Sequence, residues 1–144
     1  MLLEDRSAHY GCHQMDNKKL EQELNELVAV LEKCKAYCPW THEQSVESYA
    51  PHVLEEAKEL LEAIEKKDFE NLKEELGDIL WDTLMVAHIA QDKGMLKVED
   101  VIRGIIEKMK RRKPFVFDGR SVSIAEAQQL WEEVKEKEKK EKTQ

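Results

Sequence analysis

Two groups of side chains in this 144-residue sequence have types and spacings that chemistry can use. The first is acidic: Glu55, Glu56 and Glu59, then, beyond a short polar break, Glu75, Asp78 and Asp82. Wound as a helix at about 100° per residue, Glu56 and Glu59 border the apolar arc of Val53, Ala57, Leu60 and Ile64, whereas Glu55 and Glu62 point farther toward solvent. Glu75, Asp78 and Asp82 fall within about 60° of arc among Met85, Val86 and Ile89, and partial burial is expected of all three. An isolated ionised carboxylate in such surroundings costs several kcal/mol, and neighbouring ones repel. A cation must compensate, and a donor set of oxygens alone suits Mg²⁺, with Mn²⁺ as a substitute, over zinc or copper.

The second group is basic. Lys108-Met109-Lys110-Arg111-Arg112-Lys113 puts five cations into six residues. Pairing with a helix C-terminus accounts for one or two of them but hardly five. Lys108 and Arg112, four apart, share a helix face suited to gripping a polyphosphate, with Arg111 beside them as a further candidate. An oxygen-rich divalent site together with a cationic hook points to a metal-bound polyanion, of which the nucleoside polyphosphates are the obvious class.

Helices must position these groups. Leu20, Leu24, Leu27, Val28 and Leu31 recur at helical spacing from Asn17 to about Tyr37, where Cys38-Pro39-Trp40 ends the first helix. After a connector over residues 38–46, a second helix begins near Ser45 or Pro51 and runs through Glu65, with Pro51 tolerable in its first turn or at a kink. Lys66-Lys67-Asp68 breaks it. The third helix spans roughly Phe69 to Asp92 and ends at Lys93-Gly94, the fourth runs from Val98 until Pro114 stops it, and a shorter one covers about Ile124 to Lys135. Connections this short favour antiparallel neighbours, hence an all-α, antiparallel helical bundle of four main helices plus a short C-terminal helix. Residues 1–16 read as a loosely held arm, 17–136 as the helical domain and 137–144 as a charged tail.

Composition agrees with that architecture. Charged residues make up 38% of the chain, against roughly 25% in an average domain, and 5 Gly with 3 Pro leave little for a turn-rich β fold. A chain of this length buries roughly 68% of its unfolded surface and needs no metal or disulfide to fold. The balance of 23 basic against 31 acidic residues, net −8, argues against stable nucleic-acid binding. No stretch is apolar enough to span a membrane, the opening residues lack the order of a secretory signal, and an odd number of cysteines fits a reducing compartment, so a cytoplasmic location is expected. Cys12, His13, Cys34 and Cys38 do not have the spacing of a zinc ribbon or finger. None of the five histidines follows an acid by three residues, which excludes a di-iron bundle. His88, projecting away from the acids, reads as a surface or interface residue, and core packing competes with function at Trp40 and Trp81.

At the level of motifs the sequence resembles the MazG family of nucleoside triphosphate pyrophosphohydrolases, within the all-α pyrophosphatase superfamily. The resemblance runs from about Cys38 to Lys135. It rests on Cys38-Pro39-Trp40 followed by Glu43-Gln44-Ser45, on E-E-x-x-E at Glu55-Glu56-Ala57-Lys58-Glu59, and on E-x-x-D at Glu75-Leu76-Gly77-Asp78. It continues with Lys108-Met109-Lys110-Arg111-Arg112, Pro114-Phe115-Val116-Phe117 and Trp131-Glu132-Glu133-Val134-Lys135. The resemblance implies Mg²⁺-dependent hydrolysis of a nucleoside triphosphate to monophosphate and pyrophosphate. It further implies Glu56, Glu59, Glu75 and Asp78 as metal ligands, Lys108 and Arg112 on the phosphates, Trp131 and Trp40 against the base, and assembly as a homodimer or homotetramer.

Departures from the family pattern bear on base selectivity more than on metal chemistry. Thr41 follows Trp40 where an acid is common, Gln44-Ser45-Val46 lacks a histidine, Lys113 and Phe115 stand where histidines are usual, Asp82 replaces a frequent glutamine, and Leu130 a frequent asparagine. The expected reaction is in-line attack of an activated water at the α-phosphorus, with Glu55 or Asp82 as the group that orients it. Two other readings compete with it. One keeps the fold and changes the substrate, to dUTP, dCTP or phosphoribosyl-ATP; the other is a non-catalytic helical dimerisation or adaptor module.

Overall fold

The structure is a computed structural model in which residues 13–143 are described. It is all-α. In chain order the helices are α1 (Asn17–Tyr37), α2 (Pro39–His42), α3 (Val46–Lys66), α4 (Phe69–Asp92), α5 (Val98–Arg112), α6 (Pro114–Phe117) and α7 (Ile124–Lys142). The expected arm falls largely outside the described residues, although Asp16 caps α1 by accepting from the Lys19 amide. The described chain divides between Val98 and Glu99 into two compact units.

In the first unit the caps explain where the helices begin. Ser45 and Ser48 exchange side-chain and backbone hydrogen bonds in a capping box that opens α3. The helix therefore starts five residues before Pro51, which lies inside it and removes one backbone donor beyond the first turn. Lys67 closes α3 in the left-handed conformation (φ 55°), and Asp68 at once caps α4 by accepting from the Asn71 amide. This turn folds α4 back along α3. Tyr49 meets Asp82 and Glu56 meets Glu75, so one index falls as the other rises and the pair is antiparallel.

The core of this unit is small. Leu31, Tyr49, Met85 and Ile89 form it, with Cys34, Val46, Trp81, Leu84 and Val86 packed against them. Lys35 ties α1 to α4 through Asp92 at 2.6 Å and the His88 carbonyl at 3.5 Å. His88 is itself buried, which corrects the surface reading: burial, then the charge of Lys35, holds its pKa below the usual imidazole value. Much of each apolar stripe stays in water. Leu20, Leu24 and Val28 on α1, Leu54, Leu61 and Ile64 on α3, and Leu76 and Leu80 on α4 are exposed, so these apolar stripes are only partly closed among the described residues.

In the second unit α5 ends at Arg112, and Pro114 takes the first position of the short α6, where its missing N–H costs nothing. Gly119 turns the chain at φ 74°. A second capping box, Ser123 with Glu126, opens α7. This helix does not stop at Lys135. It runs on through the charged residues to Lys142, held by Lys–Glu pairs at 135/132 and 139/136 and by Glu138, which binds Arg111 and Arg112. Among the described residues no helix is long and apolar enough to cross a membrane.

Candidate active site

The acidic site is built entirely within the α3–α4 hairpin. Glu56, Glu75 and Asp78 each place a carboxylate oxygen so that the three lie within 4.8 Å of one another. Glu75 is buried, Glu56 half-buried and Asp78 exposed. The expected partial burial of all three α4 acids thus holds for Glu75 and Asp82 and fails for Asp78, which shares an open edge of the helix with the exposed Leu76 and Leu80.

The cluster is electrostatically uncomfortable as it stands. Oε2 of Glu75 is buried without a hydrogen-bond partner, a costly state for a carboxylate oxygen. Glu56 is pushed from 4.5 to about 7, first by loss of solvent, then by its interaction with the Glu75 carboxyl and the charges of Glu59, Asp78 and Glu75. Three crowded carboxylates, one with a buried oxygen lacking a partner and one reluctant to ionise, form a donor set that fits a hard divalent cation. Glu59 is exposed and contributes its charge from outside the trio.

Farther along the hairpin the Tyr49 hydroxyl donates to Oδ1 of buried Asp82 at 3.2 Å. Burial raises the Asp82 pKa above the usual carboxylate range, while the bond from Tyr49 and the nearby His52 pull it back. Tyr49 also stacks at a tilt on Trp40 (5.8 Å between centroids) and edge-on to His52 (5.2 Å), and His52 reaches Glu55 at 3.8 Å. Trp40 is 54% exposed against this pair, whereas Trp81 packs on the core. No sequence periodicity singles out Tyr49, whose partner lies on another helix. The position of His52 near Glu56 on the helix projection was its only signal.

In the second unit Lys108, Arg111 and Arg112 line one cleft of α5 and α7, together with Gly104, Glu138, Glu141 and Lys142. Glu138 was hidden in the charge run. Arg112 and Lys113 lie over the Trp131 ring at 4.9 and 5.6 Å, an arrangement favoured by the negative face of the indole. Trp131 also lines a mainly apolar cavity of about 730 Å³ with Phe115, Val116, Ile124 and Ala127, while Lys113, Gln128 and Glu132 supply its polar edge. A volume within the ~300–1,000 Å³ of small-molecule sites, lined by two aromatic side chains, suits a planar heterocycle. Cys34 and Cys38 are free thiols, and Cys12 lies outside the described residues.

Comparison with known proteins follows the same lines. Residues 44–117, just over half of the chain, match the family model of the MazG nucleotide pyrophosphohydrolase domain. Over 118 residues the chain is 43% identical to the nucleoside triphosphate pyrophosphohydrolase/pyrophosphatase MazG of Thermotoga maritima, covering 81% of this chain and 45% of that protein. It is 39% identical to the nucleoside triphosphate pyrophosphohydrolase of Escherichia coli K12 over 108 residues, 74% of this chain and 41% of that one. The chain thus spans less than half the length of these two relatives. A crystal structure of a mazG-related protein from Thermotoga maritima superposes with a TM-score of 0.72 at 36% identity, covering 78% of this chain and 98% of that one. With the acidic motifs gathered on one hairpin and the match spanning them, this chain belongs to the MazG family.

Proposed function

We propose that the chain is a Mg²⁺-dependent nucleoside triphosphate pyrophosphohydrolase, converting NTP and water to NMP and pyrophosphate. The observation that carries this reading is the convergence of the Glu56, Glu75 and Asp78 carboxylates, one of which, Glu75, also keeps a buried oxygen without a hydrogen-bond partner. Glu56, Glu75 and Asp78 would hold the ion, with Glu59 adding charge beside them. A bound Mg²⁺ or Mn²⁺ supplies neutralisation of phosphate oxygens and eases deprotonation of a water.

The protein's own groups do the rest. Lys108, Arg111 and Arg112 take the phosphates as point charge and planar forks. The Trp131 face is assigned to the base, and within the first unit Trp40, stacked with Tyr49 and His52, is an aromatic surface of its own. Of the two carboxylates considered for orienting water, Glu55 is open to solvent, whereas Asp82 is buried and engaged by Tyr49. We therefore assign the orienting role to Glu55 and give Asp82 the role of fixing the hairpin. The open apolar faces of α1, α3 and α4 support assembly of identical chains, as a dimer or tetramer. A cytoplasmic location fits a nucleotide substrate.

The test is a panel of common and modified nucleotides incubated with and without Mg²⁺, the products resolved by chromatography. Equimolar monophosphate and pyrophosphate appearing only with metal is the expected result. Stepwise release of inorganic phosphate, or no turnover of any nucleotide, overturns the reading, and turnover confined to dUTP, dCTP or phosphoribosyl-ATP replaces the broad substrate class with that one.

A further inference from the structure

The C-terminal charged run contains one carboxylate unlike its neighbours. Glu138 keeps only 14% of its side-chain exposure, although Glu132 and Glu136 on the same helix keep 60% and 56%. Its Oε1 accepts from Arg111 Nε at 2.6 Å, and its Oε2 from Arg112 Nη2 at 2.6 Å and Nε at 3.1 Å. Shared between two guanidinium groups, the carboxyl is held well below the usual range, at about 2.

A guanidinium offers a side edge, Nε with Nη2, and an end edge, Nη1 with Nη2. In Arg112 the side edge is taken by Glu138 and the flat face lies on Trp131, while Nη1 has no partner among the described residues. The residue is only 12% exposed and is fixed on two sides. A free arginine must give up rotamer freedom to grip a phosphate, and one already immobilised gives up less. Glu138 and Glu141 offset two of the four positive charges that Lys108, Arg111, Arg112 and Lys142 bring to the cleft, and the surplus of two still suits a polyanion.

We propose that Glu138 is a positioning residue of the phosphate grip, holding the side edge of Arg112 so that its Nη1 end is presented to the polyphosphate. This deepens the reading of the α5–α7 cleft as a phosphate site and rests on it. Arg111, bound through Nε alone and half exposed, keeps its outer nitrogens for the same ligand.

The experiment compares wild type, Glu138→Gln, Glu138→Asp, Arg112→Lys and the Glu138→Gln/Arg112→Lys pair. KM and kcat are measured with nucleoside triphosphate and Mg²⁺, and binding of inorganic triphosphate by calorimetry. Glu138→Gln turns one accepting oxygen into an N–H donor facing guanidinium donors, and is expected to raise KM and the triphosphate Kd about tenfold, the worth of one charge-assisted contact. The change in kcat is expected to be smaller than the change in KM. Glu138→Asp, which keeps the charge on a shorter stem, recovers part of the loss. The double variant is expected to be no weaker than Arg112→Lys alone, because Glu138 acts through that guanidinium.

Tighter binding in Glu138→Gln would make Glu138 a competing anion and overturn the proposal. So would an unchanged KM and Kd, or losses that multiply in the double variant. If Glu138→Gln does not fold, Glu138→Asp decides: an intermediate loss supports the role and unchanged binding overturns it. If wild type binds triphosphate, loses that binding on Glu138→Gln, and yet hydrolyses no nucleotide, the positioning role stands and the proposed activity fails.

Discussion

Uptake of a divalent cation should expel a proton from the acidic trio, and the amount can be worked out in advance. Glu56 releases its proton only at about 7, well above its ordinary 4.5. Without metal it carries about 0.9 proton at pH 6, about half at pH 7 and about 0.1 at pH 8, and a ligating carboxylate must be bare. Between pH 7 and pH 6 the apparent affinity for Mn²⁺ or Mg²⁺ should therefore fall about fivefold. Calorimetry in buffers of different ionisation enthalpy reads the proton count directly.

The same shift predicts how metal-free stability depends on pH. Glu56 holds its proton more tightly folded than unfolded, so its stabilising contribution is complete below about 4.5 and is lost as pH rises to about 7. At about 1.4 kcal/mol per pKa unit the loss is at most about 3 kcal/mol, reduced by the water that reaches a half-buried group. Glu56→Gln should abolish both the proton release and this part of the pH dependence. Cation uptake with no proton release at pH 6, or a Glu56→Gln variant that still releases one, would refute the reasoning.

Three further expectations can be checked with single substitutions. Asp78→Asn should abolish hydrolysis and leave the far-ultraviolet circular dichroism intact; an active variant would remove Asp78 from the metal site. Tyr49→Phe takes the donor from buried Asp82 and should destabilise the fold by about 1–3 kcal/mol in urea titration at pH 8, since an acceptor buried without its donor bears the desolvation cost. An unchanged midpoint would show that water replaces the hydroxyl. Leu61→Glu, on the exposed stripe shared with Leu54 and Ile64, should lower the sedimenting mass, and a sedimentation profile identical to wild type would place the assembly face elsewhere.

The acid-bearing helices were legible because their apolar periodicity is strong and their breaks are chemically marked. Ser45, Asp68 and Ser123 are side-chain caps, and Lys66-Lys67-Asp68 separates two amphipathic runs. Projection of each helix placed Glu56 and Glu75 correctly beside the core. It overestimated the cover over Asp78 and Ile64, because a stripe in sequence shows which face is apolar and not what comes to lie against it. Helix α7 outran its expected end because its solvated lysines and glutamates support one another at helical spacing and two arginines from α5 anchor Glu138. Tyr49, His88 and Glu138 share one reason for having been missed or misread. Their roles depend on partners on other helices, which local pattern does not encode.

All the clustered acids lie on two helices joined by a two-residue turn at Lys67 and Asp68. Such a hairpin has short loop closure and is expected to form before more distant segments dock. The mutual repulsion of its carboxylates is consequently met at the first step of folding rather than the last. Mild acid or dissolved magnesium, by quenching that repulsion, is expected to act as a folding accelerant for the nascent chain, independently of any nucleotide.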